Sequence, residues 1–171
     1  MTPADDHPFL SRAVPRAPER LLAQARGHPA ARVALVNAGA PIPLAGLREA
    51  WEAGLAEPIL VGDPARIRQA AESIGWDIAP FPLVAAPGES AAPRAAALAV
   101  AGEADAIMKG QIHSSTFLRG LLSSSMGLRP QGTICGHVFH VTLSGSARPL
   151  LLTDAARNVP PAVAPRRASL A

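Results

Sequence analysis

Apolar residues fall along this chain in short runs separated by helical repeats. RVALVN (Arg32–Asn37), PILV (Pro58–Val61), PLVA (Pro82–Ala85) and DAIM (Asp105–Met108) are four such runs. Their length and branched residues fit strands buried on both faces. Between the first two, Leu44, Leu47, Trp51 and Leu55 recur at spacings of 3, 4 and 4, one face of a helix, with a turn predicted over Ala38–Pro43. After the second run, Asp63 is placed to cap a helix and Pro64 suits its first position. Ile67, Ala70, Ala71 and Ile74 form that helix's inner face, and Gly75 can end it in the left-handed conformation. Further helices are predicted over Glu19–Arg26, Glu89–Ala101 and Thr116–Leu122, the last capped by Ser114 and Ser115.

Strands alternating with helices argue for a three-layer α/β/α domain with a mostly parallel sheet and right-handed crossovers. The rhythm changes over 133–153, where TICGHVFHVTL alternates and RPLLLT is apolar again; this predicts a β-hairpin followed by an Asp-containing loop. Residues 1–18 read as a loose arm, 19–160 as the α/β domain and 161–171 as a disordered tail. No internal repeat is present.

Composition narrows the picture. At 171 residues, with 49% hydrophobic and 17% charged, the chain is long enough for a core without disulfides or metal. Aromatics are only 4%, so the core is built from small side chains. The net charge of +3 rests on Arg apart from one lysine, Lys109, and no basic run is interleaved with aromatics, which argues against nucleic acid. No window is apolar enough for a transmembrane helix, and Met1–Leu10 lacks a basic signal region. A single cysteine, Cys135, excludes a disulfide framework and makes the cytoplasm the default; it reads as a small buried hydrophobe.

Candidate chemistry concentrates in DAIMKGQIHSS. Lys109 and Gly110 stand where a parallel strand ends, the usual place for ligands in open α/β sheets. Free N–H groups at the helix start near Ser114 and Ser115 favour an anion, and Lys109 adds charge. A phosphate or carboxylate site and an ordinary strand-to-helix turn are equally good readings of this spacing. His113 beside it is the better acid/base candidate, although a loop histidine is more often structural. Thr153-Asp154 after the second apolar arm is a further candidate, with turn capping the commoner role. His137 and His140, three apart on a strand, point to opposite faces and cannot chelate one ion. There is no Walker A loop, GxSxG elbow or GxGxxG fingerprint.

Four segments in order, RVALVNAG, LREAWEAGLAEPILVGDPARIRQAAES, GEADAIMKGQIHSSTFLRGLL and GHVFHVTLSGSARPLLLTDAARNV, resemble the phosphate acetyl/butyryltransferase family over Glu19 to Pro160. The resemblance implies an isocitrate/isopropylmalate dehydrogenase-like fold. It implies the reaction of acyl-CoA with phosphate to give acyl phosphate and coenzyme A, with no tightly bound cofactor and no metal. Lys109-Gly110 and Thr153-Asp154 match the family's cleft loops. Lys109, Gly110, Ser114, Ser115 and Thr153 are then phosphate or acyl-CoA contacts, and Asp154 and His113 the catalytic candidates. A homodimer is a further expectation.

Departures from the family pattern are specific. Family members continue into a second lobe, so this chain is expected to be a truncated form, through a frameshift that created PRRASLA. The usual SHVF reads Gly136-His137-Val138-Phe139, Arg157 replaces an apolar residue, and Ser114-Ser115-Thr116-Phe117 replaces acids. An acyltransferase by descent, a non-catalytic acyl-CoA/phosphate-binding module and an inactive fragment are the three readings to separate.

Overall fold

The computed structural model describes residues 17–129, 133, 135–141 and 148–153. Helix α1 (Glu19–Arg26) leads into strand β1 (Ala31–Val36). Helix α2 (Pro41–Glu52), strand β2 (Ala56–Gly62), helix α3 (Pro64–Ser73) and strand β3 (Leu83–Ala85) follow. A 3-10 turn at Gly88–Ser90 runs into helix α4 (Ala91–Val100), then strand β4 (Ala106–Lys109) and helix α5 (Ser114–Leu122). Strands β5 (Val138–Val141) and β6 (Leu150–Thr153) form the predicted hairpin, pairing antiparallel as a separate two-stranded sheet.

The four main strands are parallel, in the order β3-β2-β1-β4. Side-chain alternation splits the core into two layers. Leu35, Leu60, Leu44, Leu47 and Ile67 pack on one face with α2 and α3. Ala34, Val36, Ile59 and Val61 pack on the other against Ala91, Ala92, Ala95 and Ala96 of α4 and Leu121 of α5. Helices thus cover both faces, as right-handed crossovers require when the chain winds outward through β2 and β3 and then returns to β4. The alanine face allows close approach: a Cβ on Gly120 of α5 would lie 2.7 Å from that of Ala92.

Several local expectations hold. Asp63 accepts hydrogen bonds from the Ala65 and Arg66 amides at 2.9 and 3.4 Å, Pro64 opens α3, and Gly75 has φ +61°. Others are corrected. The turn expected over Ala38–Pro43 is already helical from Pro41, because first-turn positions need no N–H donor. That helix ends at Glu52, which leaves Leu55 outside it and Trp51 41% exposed. Ser114 and Ser115 are not caps: His113 holds the cap position, with no side-chain capping bond, and both serines lie in the first turn. Cys135 is half-buried, its thiol 3.8 Å from the Gly136 carbonyl, rather than a core residue. Asp154, the rest of 154–160 and the proposed tail lie outside the described residues, as do most of 1–18.

At the N-terminal end of the sheet, Arg32 clamps Asp105. Its Nε and Nη2 donate to the carboxylate at 2.9 and 2.6 Å, and its backbone N–H donates at 2.9 Å, joining the starts of β1 and β4. These bonds lower the Asp105 pKa from 3.8 to about 2. A depressed carboxyl pKa gives stability that is present above the unfolded value and is lost as pH falls through the folded one. Acid unfolding followed by circular dichroism is therefore expected to show a component between pH 4 and pH 2 that Asp105→Asn removes. An unchanged acid limb in that variant would contradict the assignment.

Candidate functional site

Strand order puts one point of the sheet apart. Past β1 the chain turns one way to β2 and, later, the other way to β4. The crevice between the carboxyl ends of β1 and β4 is the switch point at which open α/β sheets bind ligands. Asn37 occupies it. Its φ is +51°, in the left-handed region that Asn tolerates better than most residues. Its Nδ2 donates to the Gly88 carbonyl at 3.1 Å and to the Gln111 carbonyl at 3.4 Å. One side chain thereby ties the loops after β3 and β4 to the end of β1.

The loop after β4 is pressed onto β1. The Gly110 N–H donates to the Val36 carbonyl at 2.9 Å, and that of Gln111 to the Asn37 carbonyl at 3.2 Å. A Cβ at Gly110 would run into the Val36 carbonyl oxygen and lie 2.7 Å from that of Asn37. Glycine is needed here for space. The same loop presents Lys109, Gly110 and His113 around a cavity of about 210 Å³. Gln111 is shared with a neighbouring cavity of about 220 Å³, lined also by Asn37, Gly39, Asp63, Arg66 and Gly88.

Lys109, His113 and Arg66 are exposed and able to meet a ligand. The helix starts at this end differ in what they offer. Asp63 already occupies amides of α3, and Pro41 and Pro43 remove donors from α2. Helix α5 has no side-chain cap, and its first internal bond runs from the Phe117 N–H to the His113 carbonyl. The amides of its first turn, where Ser114 and Ser115 stand, are therefore open to an anion. Among the described residues no group of three or more His, Cys, Asp or Glu is placed to hold a metal ion.

The expected site residues are thus partly assembled. Lys109, Gly110 and His113 share a cavity, and Ser114 and Ser115 follow directly. Thr153 ends β6, in the other sheet, and Asp154 lies beyond the described residues. His137 precedes β5 and meets Phe139 edge-on, ring centroids 4.2 Å apart. Asn37, Gly39, Arg66 and Gln111 were not expected. The asparagine that ends the first apolar run was the available signal, but its importance depends on a strand order that the runs do not carry.

This is a doubly wound parallel α/β domain with cationic groups and an uncapped helix start gathered at its switch point. No family model matches the chain. It is 35% identical to a phosphate butyryltransferase of Clostridium beijerinckii over 144 residues, 84% of this chain and 47% of that protein. It is also 35% identical to a phosphate acetyltransferase of Rhizobium meliloti over 156 residues, 91% and 49% of the two chains. A phosphotransacetylase from Streptococcus pyogenes has the same fold, with a TM-score of 0.63 over 80% of this chain and 51% of that one at 12% identity. By sequence, then, the chain is a relative of the phosphate acetyl- and butyryltransferases. It spans about half the length of the curated relatives it matches.

Proposed function

We propose that this chain is a phosphate acyltransferase-type protein and that its switch point holds phosphate and the acyl-CoA thioester. The observation that carries the reading is Lys109 on a glycine-locked turn beside the uncapped start of α5, in a chain with phosphate acyltransferases among its relatives. In the reaction, a phosphate oxygen attacks the thioester carbonyl carbon. A tetrahedral oxyanion forms, the carbon–sulfur bond breaks, and acyl phosphate and coenzyme A leave. Lys109 and the amides around Ser114 and Ser115 bind the phosphate, and Gly110 lets it approach the backbone. His113 accepts the phosphate proton and returns it to the departing thiolate, with Asp154 and Thr153 as the second group on the acyl-CoA side.

A second reading rests on the same groups. Lys109 and the open amides of α5 are enough to hold an anion, whereas turnover also needs the reacting atoms positioned. A module that binds acyl-CoA or phosphate without turnover is the alternative.

Release of coenzyme A thiol from acetyl-CoA and butyryl-CoA, with and without phosphate, separates the two on protein that melts cooperatively. Phosphate-dependent release is expected, reduced about 100-fold or more in Lys109→Ala and in His113→Ala. Saturable coenzyme A binding without release would establish the binding module, and the absence of both release and binding would overturn both readings.

A further inference from the structure

A second cavity lies at the opposite end of the sheet. It is a groove of about 440 Å³ at the N-terminal ends of the strands, walled by Trp51, Ile59, Pro80 and Phe81, with Glu57 and Glu103 also in its lining. That volume is within the range of small-molecule sites. The groove exists because β3 is short. It pairs only with Leu60–Gly62, so the first half of β2 has no outer neighbour. Phe81 meets Trp51 edge-on at 5.3 Å between ring centroids, and Trp76 backs both rings at 5.2 and 6.0 Å.

This open edge does not template another strand. The Leu60 N–H donates to the Pro82 carbonyl, and the Gly62 carbonyl accepts from Ala86, so residues of this parity face the β3 side. Two positions earlier stands Pro58, which has no N–H to offer. Charge points elsewhere. Arg32 also lines the groove, but its guanidinium is engaged by Asp105. Neither Glu57 nor Glu103 closes an ion pair among the described residues. Arg32 senses both at longer range, but with Asp105 as its contact partner three carboxylates face one guanidinium, and the excess negative charge flanks an aromatic wall in a chain whose net charge is +3. Aromatic faces attract cations through their quadrupole.

We propose that this groove binds a small organic cation, a primary ammonium on an aryl or branched alkyl body. The body packs on Trp51 and Phe81 and the ammonium is balanced by Glu57 and Glu103. A carboxylate of the same shape is repelled by the excess negative charge of this lining, and a neutral isostere gains nothing from it. This site is independent of the switch-point reading.

The test is a tryptophan-fluorescence titration of the full chain with phenethylammonium, 2-phenylethanol and 3-phenylpropionate. Both tryptophans report, since Trp51 lines the groove and Trp76 lies tilted against Trp51. Saturation is expected for the ammonium below a concentration on the order of 10 mM, with weaker binding of the alcohol and none of the carboxylate. Replacing Glu57 and Glu103 by Gln weakens the ammonium about 1.5- to 5-fold per residue and leaves the alcohol unchanged. Phe81→Leu, which keeps an apolar side chain, weakens both. Equal affinity for ammonium and alcohol, binding of the carboxylate, or no saturation overturns the proposal. So does a signal that depends on protein concentration alone, which would place a second copy in the groove.

Discussion

Gly110→Ala is expected to lower stability by about 3 kcal/mol and to abolish phosphate-dependent thiol release together with it. The reason is what the new methyl meets. Its neighbours are the carbonyl oxygens of Val36 and Asn37, which are backbone atoms of the central strand and its exit, not flexible side-chain ends. No rotamer change can relieve the clash. The Lys109–His113 loop has to lift away from β1, and lifting breaks the bonds from Gly110 to Val36 and from Gln111 to Asn37 that seat it. Lys109 and the first turn of α5 move with the loop, so the proposed anion site is lost without any change to its charged groups. Gly46→Ala is the matching control. A Cβ there meets only the Met108 methyl at 3.6 Å, and the residue lies inside α2, so the variant is expected to gain about 0.5–1 kcal/mol. Urea unfolding of both variants checks the pair. A Gly110→Ala protein as stable as the parent would show that the loop is not held against β1.

Much of this architecture is legible in the sequence, and the parts that are not share a cause. Period and length marked the four parallel strands, and the Asp63-Pro64 and Gly75 signals marked both ends of α3, because each depends on neighbours close in sequence. The change of rhythm after Gly132 marked the hairpin for the same reason. The segment expected as a turn over Ala38–Pro43 opens a helix instead, because Pro41 and Pro43 stand in its first turn, where proline costs no hydrogen bond. Ser114 and Ser115 misled because residue type was read as position; the cap fell one residue earlier, on His113. Asn37 was missed for a non-local reason. It is a loop residue like any other until β2 and β4 are known to lie on either side of β1. The groove at Trp51 was missed likewise, since it arises from a β3 too short to cover β2. The hairpin adds a feature that pattern alone left open. Phe139, Val141, Leu150 and Leu152 share one face by register, and Phe139, Leu150 and Leu152 are exposed on it. A two-stranded sheet is marginal by itself, so its apolar face contributes little stability in the described residues.

Leu35→Ala is expected to produce the largest loss of stability, about 4 kcal/mol. Leu35 is 0% exposed, next to the last residue of β1, in register with Leu60 on one side and Met108 on the other. Leu44 and Leu47 of α2 and Ile67 of α3 belong to the same cluster. Truncation therefore opens a cavity enclosed by a sheet below and helices above, where collapse is restricted by neighbours that pack on two elements each. The opposite face responds to the opposite change. There the fully buried residues of α4 are Ala91, Ala92, Ala95 and Ala96, so at most a methyl group can be removed from each and adding volume is costly. Ala95→Leu is expected to lose about 1–3 kcal/mol by overpacking, less than the Leu35 cavity because α4 can shift outward as a rigid body. Urea unfolding with an unchanged m-value measures both. A Leu35→Ala loss below about 1 kcal/mol would mean that the leucine layer relaxes into the space, and the rigid seating of β1, on which the position of Asn37 and the Gly110 loop depends, would fall with it.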